Sequence, residues 1–209
     1  MSILVLTSDT LSSPAVVGQI EYASPIFTGT PIGTQRGIVP TQQYYRLDSA
    51  FVGANVTTAQ SIFGVGVTLS ASTVYEFEIV ALFTKTAGGT SHTFSVLFGG
   101  AATINNILFY ATNNPSTTAA APQSFSSQGT FGVIQVATTS TLATGIASAT
   151  LYQPTILKGT VSINAGGTFI PQYILSAAPG GAYSTAAGSY IRINPLSASG
   201  AATNVGTWS

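Results

Sequence analysis

The sequence predicts an all-β protein, and three observations carry that reading. Apolar and polar residues alternate with period two over several stretches, Gly-, Asn- and Pro-rich turns recur at short spacing, and no stretch has helical periodicity. Such a chain closes as a sandwich, a jelly roll or a barrel. At 209 residues it holds one β domain, or one domain preceded by an arm.

In chain order, residues 1–40 read as an extended N-terminal arm. Pro14, Pro25, Pro31 and Pro40 each fix φ and remove a donor, and glycines lie between them. The apolar residues Ile20, Tyr22, Ile26, Phe27, Ile32, Ile38 and Val39 are too widely spaced to make a core alone. Two readings stand: a loose tail, or an arm that orders when it docks. On the second, these residues and Arg36 are the candidate partner-binding set.

Residues 41–209 read as the β domain. Tyr44–Ser49 is its first strand. Asn55–Phe63 is the next, with a bend inside it, and Val67–Leu69 follows a Gly-rich break. Val74–Lys85 is the longest strand candidate. Tyr75, Phe77, Ile79, Ala81 and Phe83 share one face, fit for a core, and Val74, Glu76, Glu78, Val80, Leu82 and Thr84 share the other. Thr93–Phe98 and Ile104–Thr112 come next, each after a Gly-rich turn. A Ser/Thr/Ala loop runs from Asn113 to about Gln123, and Phe125–Thr138 reads as a weaker strand pair. Thr138–Ala149 is ambiguous. Leu151–Ile163, Phe169–Ala177 and Tyr190–Pro195 complete the set, with Pro171 marking an edge or a bulge.

Only 5% of the residues are charged, against about a quarter in an ordinary domain. The net charge is zero, so there is no basic footprint for nucleic acid. So few charges give little protection from self-association, which points to a protein that works assembled. Cysteine is absent, which excludes a disulfide and a thiolate metal site. The apolar run Ile3–Leu6 is too short for a signal peptide, and no run approaches the roughly 20 residues of a membrane-spanning helix. The mean hydropathy of +0.42 therefore reflects buried strands.

Chemistry is hard to place. His92 is the single histidine, it sits beside a turn, and potential co-ligands are scattered, so no metal or cofactor is expected. No G-x-S-x-G elbow accompanies it. Glu76 and Glu78 lie about 7 Å apart on one strand face, a spacing seen in glycoside hydrolysis but equally in a solvated sheet face. No catalytic residues are assigned. Of the aromatics, Tyr183 is the one expected to be exposed, in a Gly/Ser/Ala loop.

Three motifs resemble the virion proteins of tailed bacteriophages. Ile20–Leu47 contains I-E-Y, an aromatic, and the R-G-I-V-P-T-Q-Q-Y run Arg36–Tyr44. Ser70–Glu78 reads S-A-S-T-V-Y-E-F-E, with Ser72 where that group carries glycine. The end carries Y-I-R-I-N-P-L at Tyr190–Leu196 and V-G-T-W-S at Val205–Ser209. The Tyr-x-Phe and Tyr-x-Arg-Ile strands also resemble the trimeric jelly rolls of the tumour-necrosis-factor and C1q kind. The resemblance implies a jelly-roll-like β-sandwich that forms a homotrimer in the virion. It implies a capsid decoration (cement) protein bound to the major capsid protein. The alternative it leaves is a tail-tip or tail-fibre module that partners tail proteins and binds host glycans. Neither role involves nucleic acid or a membrane.

Overall fold

The computed structural model describes residues 7–117 and 128–200, with Ala202, Val205, Gly206 and Trp208. The Ile3–Leu6 run, the end of the Ser/Thr/Ala loop with Gln123, Phe125, and Thr207 and Ser209 of the last motif lie outside the described residues.

Among the described residues there is no helix. Sixteen strands occur in chain order. They are β1 (Ile20–Ala23), β2 (Ile26–Ile32), β3 (Gln35–Val39), β4 (Gln43–Arg46), β5 (Phe51–Val52), β6 (Gln60–Ser61), β7 (Val67–Leu69) and β8 (Thr73–Lys85). Then follow β9 (His92–Gly99), β10 (Ile104–Asn113), β11 (Thr130–Ile134), β12 (Ser140–Ile146), β13 (Leu151–Ile163), β14 (Gly167–Leu175), β15 (Ser184–Thr185) and β16 (Tyr190–Ala198).

One sheet runs β4-β16-β8-β13-β10-β11, with β15 and β5 continuing from the far end of β8. The other runs β12-β9-β14, with β6 and β7 sharing the outer edge of β14. Take β4, β7, β8, β9, β12, β13, β14 and β16 as the first to eighth strands of a sandwich. The sheets then read 1-8-3-6 and 2-7-4-5, the strand order of a jelly roll. The β10–β11 hairpin is an addition between the fourth and fifth strands, and it widens the first sheet beyond β13.

The sequence-derived strand at Val74–Lys85 is the centre of the first sheet, paired on both sides. Its residues alternate between buried and half-buried along the whole length, and the face expected to be core is core. Across the sandwich two aromatic groups interlock. Phe77 packs edge-on to Phe98, and Phe98 stacks on Phe169 with ring centres 5.0 Å apart. Further along, Phe94 stacks on Tyr173 and meets Phe83 at 4.9 Å. Each such pair adds about 0.5–1.5 kcal/mol to the burial of its rings. Gly159 allows Phe77 and Phe109 to close over β13. A Cβ there would stand 2.0 Å from the Leu108 carbonyl oxygen and 2.5 Å from the Phe109 Cα.

Several expectations change. Residues 20–39, read as an extended arm, form a three-stranded antiparallel meander of β1, β2 and β3. The prolines delimit its strands: Pro25 lies in the β1–β2 turn, Pro31 near the end of β2, and Pro40 just past β3. Residues 55–58 are not strand, and side-chain bonds tie this loop to its neighbours. The Asn55 carboxamide oxygen accepts from the Gly180 N–H, and the Gln60 amide donates to the Ala54 carbonyl. The ambiguous stretch resolves as β12, and the weak pair reduces to β11 among the described residues. Pro171 lies within β14, opposite Phe98 on β9. On the other side, β7 pairs up to Phe169 and β6 begins at Gln172, so Pro171 falls between them and is locally an edge residue. Its carbonyl still accepts from the Ile62 N–H at 3.0 Å.

Candidate interaction surfaces

The expected partner-binding residues separate onto the two faces of the meander. The register places Ile20 beside Gly29 and Gly37, and Tyr22 beside Phe27 and Val39. Ile20, Tyr22, Phe27 and Val39 therefore share one face, where Tyr22 and Phe27 stack at 4.6 Å. Ile20 and Val39 are exposed there, and the two side-by-side glycines leave an apolar trough between them. Ile26 and Ile38 lie on the opposite face, with Arg36 near them; Ile26 is buried. Ile32 is exposed at the end of β2.

Arg36 is occupied within the chain. Its guanidinium bonds the Glu21 carboxylate at 2.8 Å and the Ser12 carbonyl at 2.8 Å. Glu21 also accepts from the Ser12 N–H, the main cause holding its carboxyl below the ordinary value, with Arg36 contributing. This knot ties residues 7–19 to the meander.

A second surface, which the sequence reading missed, is the outer face of the first sheet. Register brings Phe131, Thr112, Ile156, Val80 and Tyr190 into one row across five strands. The next row holds Val133, Tyr110, Lys158, Glu78, Arg192 and Tyr44. The β10–β11 half is apolar and open: Phe131 is 67% and Val133 66% exposed, and Leu108 and Ile156 are also exposed. The β8–β16 half is charged, with Glu76 and Glu78 set against Arg192 and Lys158. Glu78 accepts from the Tyr190 hydroxyl at 2.7 Å and from Arg192 at 2.8 Å, with the Lys158 ammonium 3.8 Å away. The Tyr190 hydrogen bond foremost, then Arg192, holds the Glu78 carboxyl below its ordinary value against the cost of burial.

Two hollows adjoin this face. One, of about 210 Å³, is lined by Pro40, Gln42, Glu76, Glu78, Arg192 and Asn194. The other is a groove of about 420 Å³ between the edge strands β4 and β7, lined by Tyr45, Phe63, Val65, Val67, Ile191 and Ile193 among others.

Tyr183, expected to be exposed, is fully buried. Its ring packs against Phe94 and Tyr173, and its hydroxyl sits 2.7 Å from the Nε2 of His92. His92 is likewise interior rather than a turn-surface residue. Among the described residues, no group of three or more His, Asp or Glu stands together in a way that could hold a metal ion. Among the described residues, no helix is long and apolar enough to cross a membrane. No family model, curated protein or solved structure matches the chain.

Proposed function

We propose that the chain is a tailed-phage virion protein of the capsid-decoration kind, acting as a homotrimer that clamps the shell. The observation that carries this reading is the outer face of the first sheet, apolar on its β10–β11 half and charged on the other. Burying the apolar half against another copy supplies the driving force, while the Glu78–Arg192 pair costs desolvation that its hydrogen bonds offset only in part. Six adjacent strands at about 4.8 Å spacing and ~30 Å of length give a face of roughly 700 Å². A standard interface takes about 800 Å² from each partner. The exposed apolar residues of the meander supply a second, separate surface for the major capsid protein. The motif resemblance and the sparse charge support the same reading.

The test is the number of copies per virion, by quantitative mass spectrometry against the major capsid protein. Hundreds of copies support decoration. A handful, in multiples of three, favours the second reading, a tail module that binds host glycans. The observation on that side is the polar hollow at Glu76 and Glu78, whose Gln42, Glu76, Asn194 and Arg192 match sugar hydroxyls in donor and acceptor type.

A further inference from the structure

The end of the sandwich away from the meander is closed by loops that meet over two buried basic side chains. Lys85, the last residue of β8, is 2% exposed. Its ammonium donates to the Gly88 carbonyl at 2.5 Å, in the β8–β9 turn, and to the Ser148 carbonyl at 2.7 Å, in the β12–β13 turn. His92, the first residue of β9, is as buried as Lys85. Its Nδ1 lies 2.8 Å from the Thr90 carbonyl and its Nε2 2.7 Å from the Tyr183 hydroxyl.

The tautomer follows from these partners. A carbonyl oxygen only accepts, so Nδ1 carries a proton, and in the neutral ring that burial favours Nε2 accepts from the tyrosine hydroxyl. The Thr90 N–H joins the same two loops through backbone by donating to the Pro179 carbonyl, and the Gly53 N–H, after β5, donates to the Tyr183 carbonyl. Neutral His92 is thus the junction between the β8–β9 turn and the loop carrying Tyr183.

No anion balances this end. Lys85 from β8 is the charge acting on His92, and it opposes protonation. From β14 and the following loop come Tyr173 and Tyr183, both kept protonated by burial, and β12 presents Ile146 opposite. The acids lie elsewhere. Asp9 and Glu21 belong to the N-terminal segment, Glu76 and Glu78 point outward from the first sheet, and Asp48 is exposed and paired with Arg46.

We propose that His92 and Lys85 form an acid-operated latch: one proton taken up by His92 places two unbalanced cations inside this end and releases the loops at residues 86–91, 147–150 and 176–183. The sign is fixed by burial, which holds the His92 pKa below its ordinary 6.5, with the Lys85 charge acting in the same direction. The closed state binds fewer protons than the open one. Closure is therefore fully present above 6.5 and is lost as the pH falls toward the lowered value. Within that window the opening equilibrium rises about tenfold per pH unit and then levels off.

Because the chain has a single histidine, its ring resonance reports the titration without ambiguity. The experiment pairs that NMR titration with hydrogen-exchange protection factors on the full chain between pH 7.5 and 4.5. The expected result is a His92 midpoint below 6.5, with protection lost over the same range in the three loops and retained in β8 and β13. Lys85→Met should move the midpoint upward by removing the opposing charge, and Tyr183→Phe should weaken the pH dependence of the loops. Should either variant fail to fold, the wild-type pairing still decides. A His92 midpoint at the ordinary value, or loop protection that does not change with pH, overturns the latch.

Discussion

Arg192 and Glu78 stand directly opposite each other on β16 and β8 and are joined by a 2.8 Å hydrogen bond. With Tyr190 and Lys158 they form a charged cluster on the outer face, where Glu76 and Arg46 also lie. Glu78→Gln is expected to lower stability by about 1 kcal/mol at neutral pH, the upper end for a partly exposed pair. The lowered carboxyl pKa gives the sign. Its contribution is present above the ordinary value of 4.5 and is lost as the pH falls through the lowered one. Urea titrations at pH 7 and pH 3 check this: the variant should differ from the wild type at the first pH and converge with it at the second.

Ser72 is the only non-glycine residue with positive φ among the described residues, at 50°. A side chain in this left-handed conformation costs about 1 kcal/mol. Its backbone is committed on both sides, with the N–H donating to the Asn164 carbonyl and the carbonyl accepting from the Ser199 N–H. Ser72→Gly should therefore stabilise the protein by about 1 kcal/mol, raising Tm by about 2–4 °C. A calorimetric scan of the two proteins settles the point.

Gly88 and Gly37 make a contrasting pair. Gly88 has φ +78°, and a Cβ there would stand 2.3 Å from both the Pro179 oxygen and the Gly180 carbonyl carbon. Backbone cannot yield as a flexible side chain does. Gly88→Ala is expected to cost more than about 2 kcal/mol. At Gly37 nothing lies within 4 Å, so Gly37→Ala should change stability by less than about 0.5 kcal/mol. Chemical denaturation of the pair provides the comparison.

On the homotrimer reading, Phe131 and Val133, both largely exposed although Phe131 also meets Tyr110 edge-on, should matter more for association than for folding. The double variant Phe131→Ser, Val133→Ser is expected to keep the wild-type far-ultraviolet dichroism while its mass by light scattering falls from trimer to monomer. A variant that stays trimeric would remove the outer face from the homotrimer reading.

The strand pattern was legible where a strand is buried on one face along its length. The parity of Tyr75, Phe77, Ile79, Ala81 and Phe83 was enough to place the core side of β8. Tyr183 was misjudged because its neighbours in sequence are small and its partner His92 is far away in the chain. Only the packing of β9 against the following loop brings them together. Lys85 ends an apolar strand and reads locally as a solvated terminus, and nothing in sequence tells that two loop carbonyls will enclose its ammonium. The outer face was missed for a similar reason. Phe131, Ile156 and Tyr190 come from three distant strands, and only register aligns them in one row. The meander was hidden by its prolines, which suit a loose extended segment and a strand terminus alike.

Pro171 has a consequence for crowding. The stretch of β14 edge between β6 and β7 is the gap at which a foreign strand would find a template, and the residue filling it has no N–H to offer. Its carbonyl is already taken by Ile62. At this stretch of edge, a chain with so little charge to hold its copies apart offers an incoming strand no template, which leaves the outer edges of β11 and β12 as the places where a second copy's strand could add.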